Sequence, residues 1–125
     1  MKNLPAPPSS DDLALIAPAV TLPLVIAALK RDRLVFMEPG LLKTPSPYTD
    51  VIDTAIARAT ADLDAAKRDI YRRGLRVVST ERVGANFVAH YLCRGHSGEV
   101  TVDINGGMDV MRAYLTLFDN SVPAP

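Results

Sequence analysis

The sequence predicts an α+β domain with an N-terminal helical segment, a long helix, a three-stranded antiparallel meander and a C-terminal helix. Three observations carry that reading. Between Asp50 and Arg73 apolar residues recur every three or four positions, the period of a helix with one buried side. After Gly74 the period shortens to two, as in a strand. The breaks within that second region, Val83-Gly84-Ala85 and Gly95-His96-Ser97-Gly98, are short enough to close hairpins.

Taken in order, residues 1–10 hold Pro5, Pro7, Pro8 and two serines, a composition that builds no packed element and predicts an extended arm. Ser10, Asp11 and Asp12 supply a cap and first-turn acids for a short helix, expected to yield near Pro18 because proline lacks the amide donor. Thr21 is placed to cap a second helix, with Pro23 in its first turn and Leu22, Val25, Ile26 and Leu29 on one face. Leu34 to Met37 is too short for its period to separate a strand from more helix. Pro39, Gly40, Pro45, Ser46 and Pro47 make 38–48 a linker. The expected organisation is therefore an arm at 1–10, an apolar helical segment at 11–37, an α-βββ-α domain at 49–120 and a tail at 121–125.

The long helix is expected from Asp50 to Arg73, capped by Thr49 and stopped by Gly74 in a left-handed conformation. Ile52, Ile56, Ala59, Leu63, Ala66 and Ile70 form its apolar stripe. Strands are expected at Leu75–Thr80, Asn86–Arg94 and Glu99–Ile104. In the second, Phe87, Ala89, Tyr91 and Cys93 make the inner face; in the third, Val100, Val102 and Ile104 do. Asn105-Gly106-Gly107 is read as the turn into a final helix, Met108–Asp119, with Met108, Met111, Leu115 and Phe118 as its stripe. The long helix and this last one are expected to cover one face of the meander.

Charge and cysteine usage exclude several classes. Fourteen basic side chains balance fourteen acidic ones, so no global field draws in nucleic acid or an anionic membrane. Cys93 is the only cysteine, which excludes an internal disulfide and points to a reducing cytoplasm. Leu13 to Leu29 carries no charge, yet Pro18 and Pro23 interrupt it and Asp11 and Asp12 precede it, so a helix buried against protein is expected rather than a membrane span.

Candidate chemistry is sparse. His90, Cys93 and His96 are zinc-ligand types, but the odd separation of His90 and Cys93 on one strand sends them to opposite faces, and neither metal nor cofactor is expected. Cys93, His96 and Asp103 supply the groups of a nucleophilic relay, while a buried cysteine on the Phe87 and Tyr91 face explains Cys93 more simply. The Asn105-Gly106-Gly107 segment lacks the Lys and Ser or Thr of a phosphate loop, and Asp103, Asn105 and Asp109 do not complete a calcium loop.

Two surfaces remain. Lys67, Arg68, Arg72, Arg73 and Arg76 cluster around Tyr71, with Arg82 and Arg94 on adjoining strands, and such groups contact phosphates; they also suit the negative end of a helix dipole. The arm and the apolar segment, represented by Leu4, Leu22, Val25, Ile26, Leu29 and Phe36, fit docking on a second copy or another protein. The expected function is thus a non-enzymatic, homo-oligomeric interaction or assembly module. Nucleic-acid binding through the basic cluster is the alternative, and a small Cys/His-dependent enzyme the third reading.

Overall fold

Ser9 opens the first helix with a reciprocal cap: its Oγ accepts from the Asp12 amide at 3.1 Å while the Asp12 carboxylate accepts from the Ser9 amide at 2.9 Å. The structure, a computed structural model, describes residues 5–120, the last four as backbone alone. Its elements are α1 (Ser10–Ala14), α2 (Ile16–Phe36), α3 (Ser46–Arg72), β1 (Leu75–Val83), β2 (Asn86–Cys93), β3 (His96–Asp103) and α4 (Ile104–Asn120).

The break between α1 and α2 falls at Leu15, not near Pro18. A proline ring meets the carbonyl four residues earlier, and for Pro18 that residue is Ala14, where α1 ends. Pro18 then sits in the first turn of α2, Pro23 lies inside the helix, and Thr21 is a buried helical residue rather than a cap. Leu34–Phe36 continue the same helix. At α3 the start moves one turn earlier, because Pro47 fits the first helical turn; Thr49 lies within the helix, its hydroxyl donating to the Ser46 carbonyl. Gly74 takes the expected left-handed conformation after α3, at φ 67°.

The strands form an antiparallel sheet in the order β1-β2-β3. Each connection has shrunk to two residues. Gly84 carries the first at φ 61°, and Arg94 and Gly95 carry the second at φ 49° and 89°, the double left-handed pattern whose twist suits a hairpin. Val78 is extra in β1, between Val77 opposite Tyr91 and Ser79 opposite His90. Ile104 begins α4 directly. The Asp103 carboxylate accepts from the Asn105 amide at 2.9 Å, so Asn105-Gly106-Gly107 is the first turn of the helix and not a loop before it.

The main departure concerns what covers the sheet. Ile16 and Val20 of α2 pack with Ile70, Leu75, Ala89, Cys93 and Val102, flanked by Leu13, Leu15 and Ala19. The expected cover, the long helix with the C-terminal one, is replaced by α1 and α2, with α3 contributing Ile70 from its last turn. Farther along α2, Val25 and Leu29 meet Ile52 and Ala55, and Leu22 meets Ala59 and Leu63; Val110, Met111, Tyr114 and Leu115 of α4 close over both groups. Met108, expected in that stripe, is exposed instead, and Phe118 lies outside the described side chains. A helix with apolar residues on several sides can serve two partners, which is why α2 packs its first turns on the sheet and its later turns on α3 and α4. Two polar ties join the layers: Arg33 to Asp53 at 2.6 Å between α2 and α3, and the Tyr114 hydroxyl donating to Asp62 between α4 and α3. Burial, together with that bond, pushes the Tyr114 phenol up to about 12.

Candidate interaction surface

Among the residues expected to dock a partner, Leu22, Val25 and Leu29 are buried within the chain's own core. That assignment is corrected: their apolar area is already removed from water by α3 and α4. Ile26 packs beside Leu22, and Phe36 packs beside Leu29 while stacking on Tyr48 with ring centroids 5.7 Å apart. Leu4 lies outside the described residues. Around Phe36 the apolar side chains that do face solvent are Leu34, Val35, Met37, Leu41 and Tyr48, at the end of the α2–α3 hairpin away from the sheet.

The basic cluster divides. Arg73 turns inward to Asp12 at 2.9 Å, and Arg72 pairs with Asp69 at 3.2 Å. Lys67, Arg68 and Arg76 make no ion pair among the described residues. Arg94, first read as a flanking surface cation, is the hub of a clasp. It donates to Asp12 at 3.0 Å, to the carbonyls of Ala6 and Pro7 at 3.1 and 3.3 Å, and to the Arg73 carbonyl. His96 adds a bond at 2.9 Å to the Pro5 carbonyl, so residues 5–7 of the arm lie on the chain's own β2–β3 turn. The Ser9 amide, with Arg73 and Arg94, holds the Asp12 carboxyl far below the usual carboxylate range.

The relay residues are not assembled. Cys93 is fully buried with its sulfur toward the Arg73 carbonyl, His96 is turned to Pro5, and Asp103 stands at the far end of β3 capping α4. His90 lies on the opposite face from Cys93, between Glu81 at 3.1 Å and Glu99 at 3.4 Å. No group of metal-ligand side chains capable of holding an ion occurs among the described residues. The stretch Ser10–Phe36 is long and apolar enough to cross a membrane by length and composition, and its residues Ile16, Val20, Leu22, Val25 and Leu29 are core.

What the structure does form is an open cleft of about 970 Å³ beside β1. Its apolar lining comes from Val20 and Leu24 of α2, Ile70 of α3, Leu75 and Val77 of β1 and Phe87 of β2; Lys67, Arg76 and Arg94 supply its charge, with no acidic side chain among the described residues. Arg76 pairs across to Leu92 on one sheet face, while Val77, Thr80 and Phe87 belong to the other. The cleft therefore wraps the outer edge of β1, which among the described residues has β2 as its only strand neighbour. Tyr71, 85% exposed, and Leu24, 45% exposed, stand at its mouth. Periodicity could not locate this feature, since it arises where α2 stops covering the sheet.

No curated protein and no solved structure matches the chain. The family described as YhjD protein matches residues 7–104, from the arm held by Arg94 to the first residue of α4, well over half of the sequence. On that extent, the chain belongs to the YhjD protein family.

Proposed function

We propose that this protein is a non-enzymatic interaction module of the cytoplasm that assembles with copies of itself, using the β1 edge and the cleft beside it. The observation that supports the reading is the coincidence of an unpaired strand edge with an apolar cleft and solvent-facing Tyr71, Leu24, Val78 and Val83. Edge backbone groups and contiguous apolar surface are what a protein normally covers by association. The cytoplasmic placement is part of this proposal and is supported by a free, buried cysteine in place of a disulfide framework.

A second reading, nucleic-acid binding, is favoured by exposed Tyr71 standing among Lys67 and Arg68, which have no carboxylate partner among the described residues, an arrangement suited to a stacked base and a phosphate. Sedimentation of the full chain with and without a mixed-sequence single-stranded oligonucleotide separates the two. Self-association that deepens with protein concentration and is weakened by Tyr71→Asp supports the assembly reading. A chain that stays monomeric alone, but binds the oligonucleotide with a steep loss of affinity in salt, overturns it in favour of the second.

A further inference from the structure

We infer that the occupant of the β1 edge is β1 of a second copy, paired antiparallel across a two-fold axis between Val78 and Ser79, with Arg76 of each chain opposite Glu81 of the partner subunit. The inference rests on the reading that the protein assembles through this edge, and it specifies the register.

Three features of β1 converge on it. The first is the bulge. An antiparallel strand pair related by a two-fold axis must present the same face on both sides, and a regular strand cannot satisfy this with the axis between adjacent residues, whose side chains alternate. The extra residue Val78 removes that obstacle, because the two bulges then lie opposite each other and the register continues unbroken on both sides. Val77 faces Thr80 of the partner subunit, and both belong to the inner face.

The second is charge. Arg76 lies opposite Leu92 and Glu81 opposite Val88; Leu92 and Val88 are four apart in β2, so Arg76 and Glu81 share the outer face. Both are exposed, and Arg76 has no ion pair among the described residues. Within one chain they stand roughly 13 Å apart, four strand steps, which is too far to pair. Across the axis they meet twice. Glu81 already touches His90 through one oxygen and keeps the other for this contact.

The third is the exposed apolar surface. In this register Val83 of the partner subunit, a residue 53% exposed in the single chain, falls beside Gly74 at the mouth of the cleft, next to Tyr71. Arg82, which comes opposite Leu75, is held by its own Gly84 carbonyl at 3.3 Å. The result is a continuous six-stranded sheet with the bare β1 edges removed.

A charge swap tests the register, read by analytical ultracentrifugation of the full chain, with far-UV circular dichroism confirming that each variant is folded. Arg76→Glu alone and Glu81→Arg alone are each expected to weaken dimerisation about tenfold or more through like-charge contact, and the double variant to recover most of the loss. Because the two positions cannot pair within one chain, that recovery reports contact between chains. A wild-type dimer indifferent to both single reversals, or a double variant as weak as either single one, overturns the register while leaving assembly standing. A wild-type chain that stays monomeric overturns the assembly reading itself.

Discussion

Asp12 is the residue on which the N-terminal region turns. It closes the cap of α1, receives Arg73 and Arg94, and through Arg94 fixes the arm to the β2–β3 turn. Arg94 holds a left-handed φ of 49°, a conformation costing a side-chain-bearing residue about 1–2 kcal/mol, which its four hydrogen-bond acceptors offset. Since the folded chain depresses the Asp12 pKa, the carboxylate contributes stability that is fully present above the unfolded value near 4 and is lost as pH falls towards the folded one. Asp12→Asn is therefore expected to lower the denaturant midpoint at neutral pH and to flatten its decline between about pH 5 and pH 2. Denaturant titrations across that range check it; a decline as steep in the variant as in the wild type would show that other carboxylates govern acid unfolding. The first-turn acids Asp11 and Asp12 were legible in the sequence as a local pattern, whereas the cap was expected at Ser10 and is supplied one residue earlier by Ser9, whose side chain and backbone close the reciprocal bond with Asp12. The partners Arg73 and Arg94 were not legible, being 61 and 82 residues away.

At the scale of the element, α2 carries the fold. Its side chains reach from the sheet core at Ile16 and Val20 to the helical core at Leu29, so one helix knits both halves. Leu29 is fully buried, and Leu29→Ala is expected to cost about 3–5 kcal/mol, the range for a large-to-small change that leaves a cavity. Leu34, 71% exposed one turn farther on, serves as the control: Leu34→Ala should stay within about 0.5 kcal/mol. Chemical denaturation of both variants decides the comparison, and equal losses would mean that the C-terminal end of α2 is packed more deeply than described. The sequence marked α2 as apolar and helical. It left open which neighbour would take its apolar faces, because hydrophobicity on most sides of a helix names no partner.

For the whole molecule, the consequence is that α3, the sheet and α4 share their core with α2 and are expected not to fold without it. Removing residues before Tyr48 strips Ile16, Val20, Leu22, Val25 and Leu29 from the core. At about 2 kcal/mol for each buried aliphatic side chain, the loss is about 10 kcal/mol, as large as the entire stability of a typical domain. A chain starting at Tyr48 is thus expected to show neither the cooperative unfolding nor the dispersed NMR spectrum of the full protein; a folded, soluble fragment would contradict the central role of α2. The expected boundary at 38–48 rested on its prolines and Gly40, and composition alone does not distinguish a linker between domains from a turn between two helices that pack on each other.

By itself the sequence determined those features that are local in the chain. Periods of 3.6 and 2 separated the long helix from the meander, Gly74 stopped α3, and the alternation of Phe87, Ala89, Tyr91 and Cys93 marked the inner face of β2. Each depends on neighbours a few residues apart, so a window along the chain contains the cause. Tertiary structure alone decided that α2 supplies the main cover of the sheet with α3 adding only its last turn, that Arg73 and Arg94 turn to a buried carboxylate, and that a cleft opens along β1 where α2 ends its cover. Those outcomes come from competition among apolar faces and charges far apart in sequence for the same limited interior. The winner is set by the packing of the whole.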